Sequence, residues 1–235
     1  MFYTILIPAY NEAENIGPLL FEIQEVMQAL NEPWEVIVID DASTDETWQQ
    51  LESTQKRISQ LRAFRHSKQS GQSNALETGI QQAKGEIIIM LDGDGQNDPH
   101  DIPKLLEKIE GVDCVSGCRV NRKDTWLKRT YSKIANSIRR AFLHDGITDT
   151  GCSLKAFRKQ ALHKLKFYKG MHRFLPALLQ IEGYKVIEVP VSHRPRLHGT
   201  SKYNILNRGL CTLTDLLAVC WMRKRRILSQ VEKDL

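Results

Sequence analysis

IIIMLDGDGQNDP, residues 87–99, decides how this chain is read. Ile87 to Leu91 have the composition of a strand buried on both faces, and three aspartates, Asp92, Asp94 and Asp98, follow within seven residues. Carboxylates this close repel one another. A hard cation turns that repulsion to use, because Mg²⁺ takes oxygen ligands, commonly one or two carboxylates plus substrate phosphates. Asp92 and Asp94, at i and i+2 with glycines between and after them, can turn toward one point, and Gln96 can add an amide oxygen directly or through water. Asp98 before Pro99 reads instead as the cap of the helix in IPKLLEKIE.

Working outward, the first half alternates strand and helix. FYTILIP, WEVIVID, LRAFRH, EIIIML and VDCVSGCRV read as strands. Between them, EAENIGPLLFEIQEVMQALN has helical spacing, STDETWQQLESTQKRI opens on the capping residues Ser43, Thr44 and Asp45, SGQSNALETGIQQAKG is stopped by Gly85, and DIPKLLEKIEG follows. Apolar strands separated by helices imply an α/β fold: a Rossmann-like, mostly parallel central sheet flanked by helices. Ligands of such sheets bind beyond the carboxyl ends of the strands. PAYNE, DDASTD and DGDGQND follow three of those ends and should share one rim. Tyr10 offers a flat face there, Glu12 an acceptor, and Asp40 or Asp41 acceptors for a base or ribose.

The second half is less regular. DTWLKRTYSKIANSIRRAFL reads as a basic amphipathic helix, with Arg139 and Arg140 on its solvated or lipid-facing surface. SLKAFR and YKVIEVPV are strand candidates with a helix in HRFLPALLQIEG between them, and SHRPRLHGTSKYN is a polar loop. Charge divides accordingly: residues 1–117 hold 8 Lys/Arg and 20 Asp/Glu, residues 118–235 hold 25 and 8. A chain so polarised suits a cation at its first half and an anion at its second. Nucleic acid fits poorly, since the acidic half would repel it. The five cysteines are odd in number and form no CxxC, and no export signal or apolar run of membrane-spanning length appears, which points to reduced thiols and the cytoplasm.

Four stretches in order, ILIPAYNEAENI (5–16), VIVIDDASTDET (36–47), GQSNALETGIQQAKGEIIIMLDGDGQNDP (71–99) and HRPRLHGTSKYN (193–204), resemble the signature of family 2 glycosyltransferases with a GT-A fold. Among these the chain is most similar to polyprenyl-phosphate glycosyltransferases of the dolichol-phosphate mannosyltransferase type. The resemblance covers roughly residues 3–205: a nucleotide-sugar half at 1–117 and an acceptor half at 118–205, with 206–235 left as an amphipathic helix and basic tail. It implies a metal-dependent, inverting transfer of sugar from a GDP- or UDP-linked donor to a polyprenyl phosphate. By similarity, Pro8, Ala9, Tyr10 and Glu12 line the nucleoside pocket, with Asp40 at the base and Asp41 nearby. Asp92 and Asp94, with Gln96 as a further ligand, hold Mg²⁺ or Mn²⁺ under the donor diphosphate. Arg119, Lys128, Arg129 and Ser132, and Arg196, Gly199, Ser201 and Lys202 of an R-x-x-G-x-S-K pattern, meet the acceptor phosphate. Asp149 is the candidate base or orienting carboxylate.

Larger relatives carry transmembrane helices after the catalytic domain. Here Leu206, Leu210, Leu213, Leu217 and Trp221, followed by RKRR (223–226), suggest a helix lying on the cytoplasmic face of a membrane, or packed on its own domain or a dimer partner. Two rival readings stand beside this one. A soluble glycosyltransferase acting on a saccharide hydroxyl would need Asp149 as base. A phospho-receiver domain would use VIVIDD and IIIMLD, but its paired aspartates belong after the first strand, and more than 100 residues would be left without a role.

Overall fold

The computed structural model describes residues 1–120, 137, 139–140, 142–143, 145–196 and 205–226. Seven strands, β1 (Tyr3–Ala9), β2 (Trp34–Asp40), β3 (Leu61–Arg65), β4 (Ile87–Met90), β5 (Cys114–Arg119), β6 (Lys155–Arg158) and β7 (Val186–Val191), form one sheet in the order β3-β2-β1-β4-β6-β5-β7. Helices α1 (Ala13–Ala29), α2 (Thr47–Gln55), α3 (Gln72–Gln82), α4 (Ile102–Leu106), α5 (Lys159–Leu162), α6 (Leu175–Ile181) and α7 (Ile205–Arg225) connect or cover it.

Period-two alternation assigns each strand residue to a face. Ile5, Ile7, Val36, Val38, Ile87 and Ile89 join one core layer with α1, α2 and α4. Leu6, Ile37, Ile39, Ile88 and Met90 join the other, under α3, α5 and α6. Each such fully buried side chain contributes roughly 1.5–3 kcal/mol, which is why these strands have no polar face. α3 lies so close that a Cβ on Gly79 would collide with Leu6.

β1 to β4 run parallel, with Ala9 opposite Asp40 and Leu6 opposite Met90, so their carboxyl ends share a rim. The sequence left unstated that β6 is inserted antiparallel between β4 and β5. Its reversal sets Lys155, the first residue of β6, beside Met90, the last of β4. β5 pairs parallel with β7, so Arg119 and Val191 end on the same rim. The strand ends carrying the acidic loops, the start of β6 and the ends of β5 and β7 therefore converge.

Three local expectations are corrected. Gly85 does not stop α3, which ends at Gln82; it passes against β1, where a Cβ would lie 2.5 Å from Thr4 N. Ser43 and Thr44 do not cap α2. They tie the β2 loop to the β1 loop, Asn11 N donating to Ser43 Oγ at 2.9 Å and Thr44 N to Asn11 Oδ1 at 2.8 Å; Asp45 alone reaches α2, accepting from Thr47 N at 3.0 Å. Arg139 is not a surface residue: it is buried and paired with Asp145, and burial pulls its pKa down against that partner. Arg140 is exposed as expected.

Candidate active site

At the end of β4, Gln72 Nε2 from the start of α3 donates to Asp92 Oδ1 at 2.7 Å. Burial, then the charge of Asp94, lifts the Asp92 carboxyl to about 6, against the opposing pull of the Ser153 hydroxyl, Lys155 and Arg119. Asp94 accepts from Gln96 N at 3.1 Å and from Arg196 at 2.5 Å. Two repelling carboxylates on a tight strand-end loop, one already drawing a cationic side chain, have the donor chemistry for a hard dication whose remaining ligands come from phosphate oxygens. Gln96 is turned toward the strap after β7: its amide nitrogen lies 3.4 Å from Arg194 O and its backbone carbonyl accepts from Arg194 N at 2.9 Å.

That strap, residues 192–196, is pinned along its length. Ser192 N donates to Asp101 at 2.5 Å, His193 bridges Asn97, and Arg194 spans Glu22 at 2.6 Å and Asp98 at 2.7 Å. Glu22, Asp98 and His100 converge closely enough to suggest a metal cluster, but Arg194 already neutralises the first two, and His100 Nδ1 lies 2.9 Å from Asp98. Asp98 also accepts from His100 N and caps the 3-10 turn Pro99–Asp101, as its sequence setting indicated. Hydrogen bonds from His100 and Arg194 overcome burial and hold its carboxyl below the usual range.

On the neighbouring strand ends, Asp40 is fully buried, with one oxygen accepting from Ser43 N at 2.9 Å and the other 3.2 Å from Arg65 Nε. Asp41 accepts from Gly71 N at 2.7 Å and Ser70 N at 2.8 Å and lies 2.8 Å from His66 Nδ1. It thus fixes the loop leading into α3. Ala42 between Asp41 and Ser43 has φ 61°, a left-handed conformation costly for a residue with a Cβ, held here by the stitched loops. Pro8 lines the cleft, Ala9 is buried, Tyr10 is half-buried, and Glu12 bonds Asn15 at 2.8 Å beside the start of α1.

Arg119 and Asp149 form one unit. The guanidinium meets the carboxylate as a fork, Nε to Oδ2 at 2.7 Å and Nη2 to Oδ1 at 2.8 Å, while Glu188 receives Asp149 N at 3.1 Å. Gly151 lies against this pair, close enough that a Cβ would sit 2.7 Å from Arg119 Nη2, and the same Gly151 lines the cleft with Asp92. Lys128, Arg129, Ser132, Gly199, Ser201 and Lys202 lie outside the described residues.

Sequence reasoning missed most of the remaining lining. Lys155, Ser153, Gln72, His172 and Arg173 border the cleft with Asp92. Lys155 did leave a signal, a lone charge in the apolar strand SLKAF. The Cys152 thiol lines the cleft but is no nucleophile, since burial pushes its pKa up to about 11. A larger cavity of about 410 Å³ lies off the rim, between Leu143, Ala177, Ile181 and Arg223. It lacks the paired carboxylates, its one acid, Asp145, being matched to Arg139.

A mostly parallel sheet whose carboxyl ends gather an acidic loop and a basic strap is the architecture of a nucleotide-sugar transferase, and comparison with known proteins agrees. The glycosyl transferase family 2 model matches residues 4–166. A dodecaprenyl-phosphate galacturonate synthase of Rhizobium johnstonii is 34% identical over 230 residues, covering 94% of this chain and 67% of that protein. The chain belongs to glycosyl transferase family 2 and is a glycosyltransferase. Its fold is GT-A-like. Glucosyl-3-phosphoglycerate synthase from Mycobacterium tuberculosis, solved with Mn²⁺, UDP and phosphoglyceric acid, superposes with a TM-score of 0.73 at 18% identity over 97% of this chain and 80% of that one. A Pyrobaculum calidifontis mannosyltransferase solved with GDP-Man and Mn²⁺ gives 0.69 at 21% identity over 97% and 65%. Family membership removes the phospho-receiver and nucleic-acid readings. Among the described residues no helix is long and apolar enough to cross a membrane.

Proposed function

We propose that this enzyme transfers a sugar from a nucleoside-diphosphate donor to the phosphate of a polyprenyl carrier, with inversion at the anomeric carbon. The observation that carries the reading is the meeting of charges on one rim: the carboxylates of the β4 loop face Arg196 of the strap and border the Arg119–Asp149 unit. The relative's name supplies the acceptor class.

Asp92 and Asp94, with Gln96 beside them, hold Mg²⁺ or Mn²⁺. When bound, the cation supplies neutralisation of charge on the departing nucleoside diphosphate. The loops after β1 and β2, stitched through Asn11, Ser43 and Thr44, form the wall for the nucleoside. Pro8, Ala9, Tyr10 and Glu12 line it, and the inward-facing Asp40 and Asp41 hold its shape. Arg119 and Arg196, joined by Lys128, Arg129, Ser132, Ser201 and Lys202, receive the acceptor phosphate; the guanidinium fork matches phosphate oxygens. A phosphate monoester is already anionic at neutral pH, so its oxygen attacks without a general base. The new bond joins that oxygen to the anomeric carbon. The bond to the diphosphate oxygen breaks, and its electron pair leaves with the nucleotide. Asp149 fits the role of orienting Arg119, since both its oxygens lie in that residue's fork.

The acceptor's tail lies in a bilayer, and α7 suits its surface. Leu216 and Val219 pack the helix on the domain with Met171, Phe174 and Leu178, whereas Leu213, Leu217 and Trp221, four residues apart, are exposed beside Phe142 and lead to exposed Arg223, Lys224 and Arg225. Apolar side chains with a cationic end fit an anionic membrane face, and we place the enzyme peripherally on the cytoplasmic side. The side chains of Leu206 and Leu210 lie outside the described residues.

The reading is tested with a panel of UDP- and GDP-sugars, Mn²⁺ and a polyprenyl phosphate, following labelled sugar into the organic phase. Organic-soluble label that requires Mn²⁺ and disappears in Asp94→Asn is expected; label released only as free sugar would reject the acceptor.

A further inference from the structure

The charged side chains lining the cleft are unevenly divided. Asp92 is the one carboxylate among them; the others are Lys155, His172 and Arg173. A neutral sugar presents hydroxyls, each both donor and acceptor, and is well matched by walls that mix carboxylates with amides. A wall of cationic and basic groups matches a ligand that only accepts.

Lys155 sharpens the point. It is 3% exposed, at the start of β6, its ammonium donating to the Cys152 carbonyl and acting electrostatically on Asp92. A buried ammonium is costly without a counter-charge. Asp92 provides that charge in the protein alone, but the dication that this loop suits draws on the same carboxylate, and Lys155 is then left to an anion arriving with the ligand.

His172 and Arg173 are held in place from both sides. They form the 3-10 turn Met171–Arg173, which follows Gly170 at φ 89°. Ser73 Oγ of α3 lies 2.9 Å from His172 Nδ1. On the other side, a Cβ on Gly170 would run into the Asp215 carboxylate of α7, and the charge of Arg173 acts on that carboxylate. The turn is thus fixed against two helices with its basic residues on the cleft.

We infer that the transferred sugar is itself anionic, carrying a carboxylate as a hexuronic acid does, and that Lys155, His172 and Arg173 form the subsite for it. This rests on the cleft being the nucleotide-sugar site. The Rhizobium relative is named for a sugar of this class. Asp215 acts through Arg173 and is a positioning residue.

The test uses the full chain with Mn²⁺ and undecaprenyl phosphate, comparing UDP-galacturonate with UDP-galactose and UDP-glucuronate with UDP-glucose. A uronate donor preferred at least tenfold in kcat/KM over its neutral counterpart is expected. Arg173→Gln should cut the uronate rate more than the neutral one, so that the ratio falls at least fivefold. Arg173→Lys should recover part of it, and Asp215→Asn should raise KM for the uronate with a smaller effect on kcat. Should Arg173→Gln fail to fold, judged by circular dichroism, His172→Gln carries the same comparison. Neutral donors used as well as or better than uronates would overturn this subsite and assign the basic wall to the diphosphate, with the lipid-phosphate transfer reading intact. Transfer from none of the donors, together with failure to bind UDP, overturns both.

Discussion

Arg196 donates to Asp94 at 2.5 Å across 102 residues of sequence, so the strap after β7 rests its guanidinium on a carboxylate of the proposed metal loop. Arg196 and a dication compete for the same oxygen, and cation entry frees Arg196 for the acceptor phosphate. Arg196→Ala should therefore bind bare Mn²⁺ more tightly, by roughly three- to tenfold for an interaction of about 1 kcal/mol. It should also raise KM for polyprenyl phosphate. Free Mn²⁺ measured by electron paramagnetic resonance checks the first effect and initial rates the second; unchanged Mn²⁺ affinity would mean that the pair does not guard the seat.

Asp92 predicts a trade between stability and activity. Its carboxyl is raised to about 6, so the folded protein binds this proton more tightly than the unfolded chain does. The penalty is absent below the unfolded value near 4, grows as pH rises through 6, and is fully present above it. Two pKa units correspond to about 2–3 kcal/mol, and Asp92→Asn removes that cost at pH 7.5 but not at pH 4. With EDTA present, the variant should melt roughly 4–10 °C higher than wild type at pH 7.5 and within a degree or two of it near pH 4, while transfer is lost. Equal melting temperatures at pH 7.5 would show that Asp92 carries no such strain.

What the sequence disclosed and what it withheld divide along contact range. The rim was legible because its evidence is local: a strand apolar at every position, as at Ile37 and Ile89, needs cover on both faces, and a polar cluster after it must lie at a strand end. Asp98 as a cap was legible for the same reason. The insertion of β6 was not, since four residues of KAFR carry no mark of direction. Ser43 and Thr44 have the composition of a cap, and only the proximity of Asn11, 32 residues earlier, shows where they bond. Arg139 lies in a basic helical pattern whose average is exposed, while its own partner, Asp145, comes from the following loop. The Ser73–His172 contact joins residues 99 positions apart that no periodicity relates.

The fork between Arg119 and Asp149 separates two roles for the carboxylate. A general base contributes to kcat by roughly 10²–10⁴-fold; a carboxylate that aims Arg119 acts on acceptor binding. Asp149→Asn keeps the shape but loses the charge, and should raise KM for polyprenyl phosphate about tenfold with kcat falling much less. Asp149→Ala also strands a mostly buried guanidinium and should lower stability by about 2–3 kcal/mol, discounted from a fully buried pair because the Arg119 side chain is 13% exposed. A hundredfold loss of kcat at unchanged KM in Asp149→Asn would restore the general-base role.

Leu213, Leu217 and Trp221 are 50%, 56% and 63% exposed, whereas Leu216 and Val219 on the same helix are buried. One face of α7 thus serves the fold and the other serves something outside it. Replacing Leu213, Leu217 and Trp221 together by Ser leaves the packed face intact, so the melting temperature should change little. Co-sedimentation with vesicles containing anionic lipid should fall at least fivefold, since each of these side chains loses transfer free energy on the order of 1 kcal/mol or more. Added salt should weaken wild-type binding further through Arg223, Lys224 and Arg225. Activity toward a short, detergent-soluble prenyl phosphate should persist, because that acceptor reaches the rim without a bilayer. Should the variant sediment as wild type does and instead shift from dimer to monomer in analytical ultracentrifugation, the exposed stripe belongs to a second copy of the chain and not to a membrane.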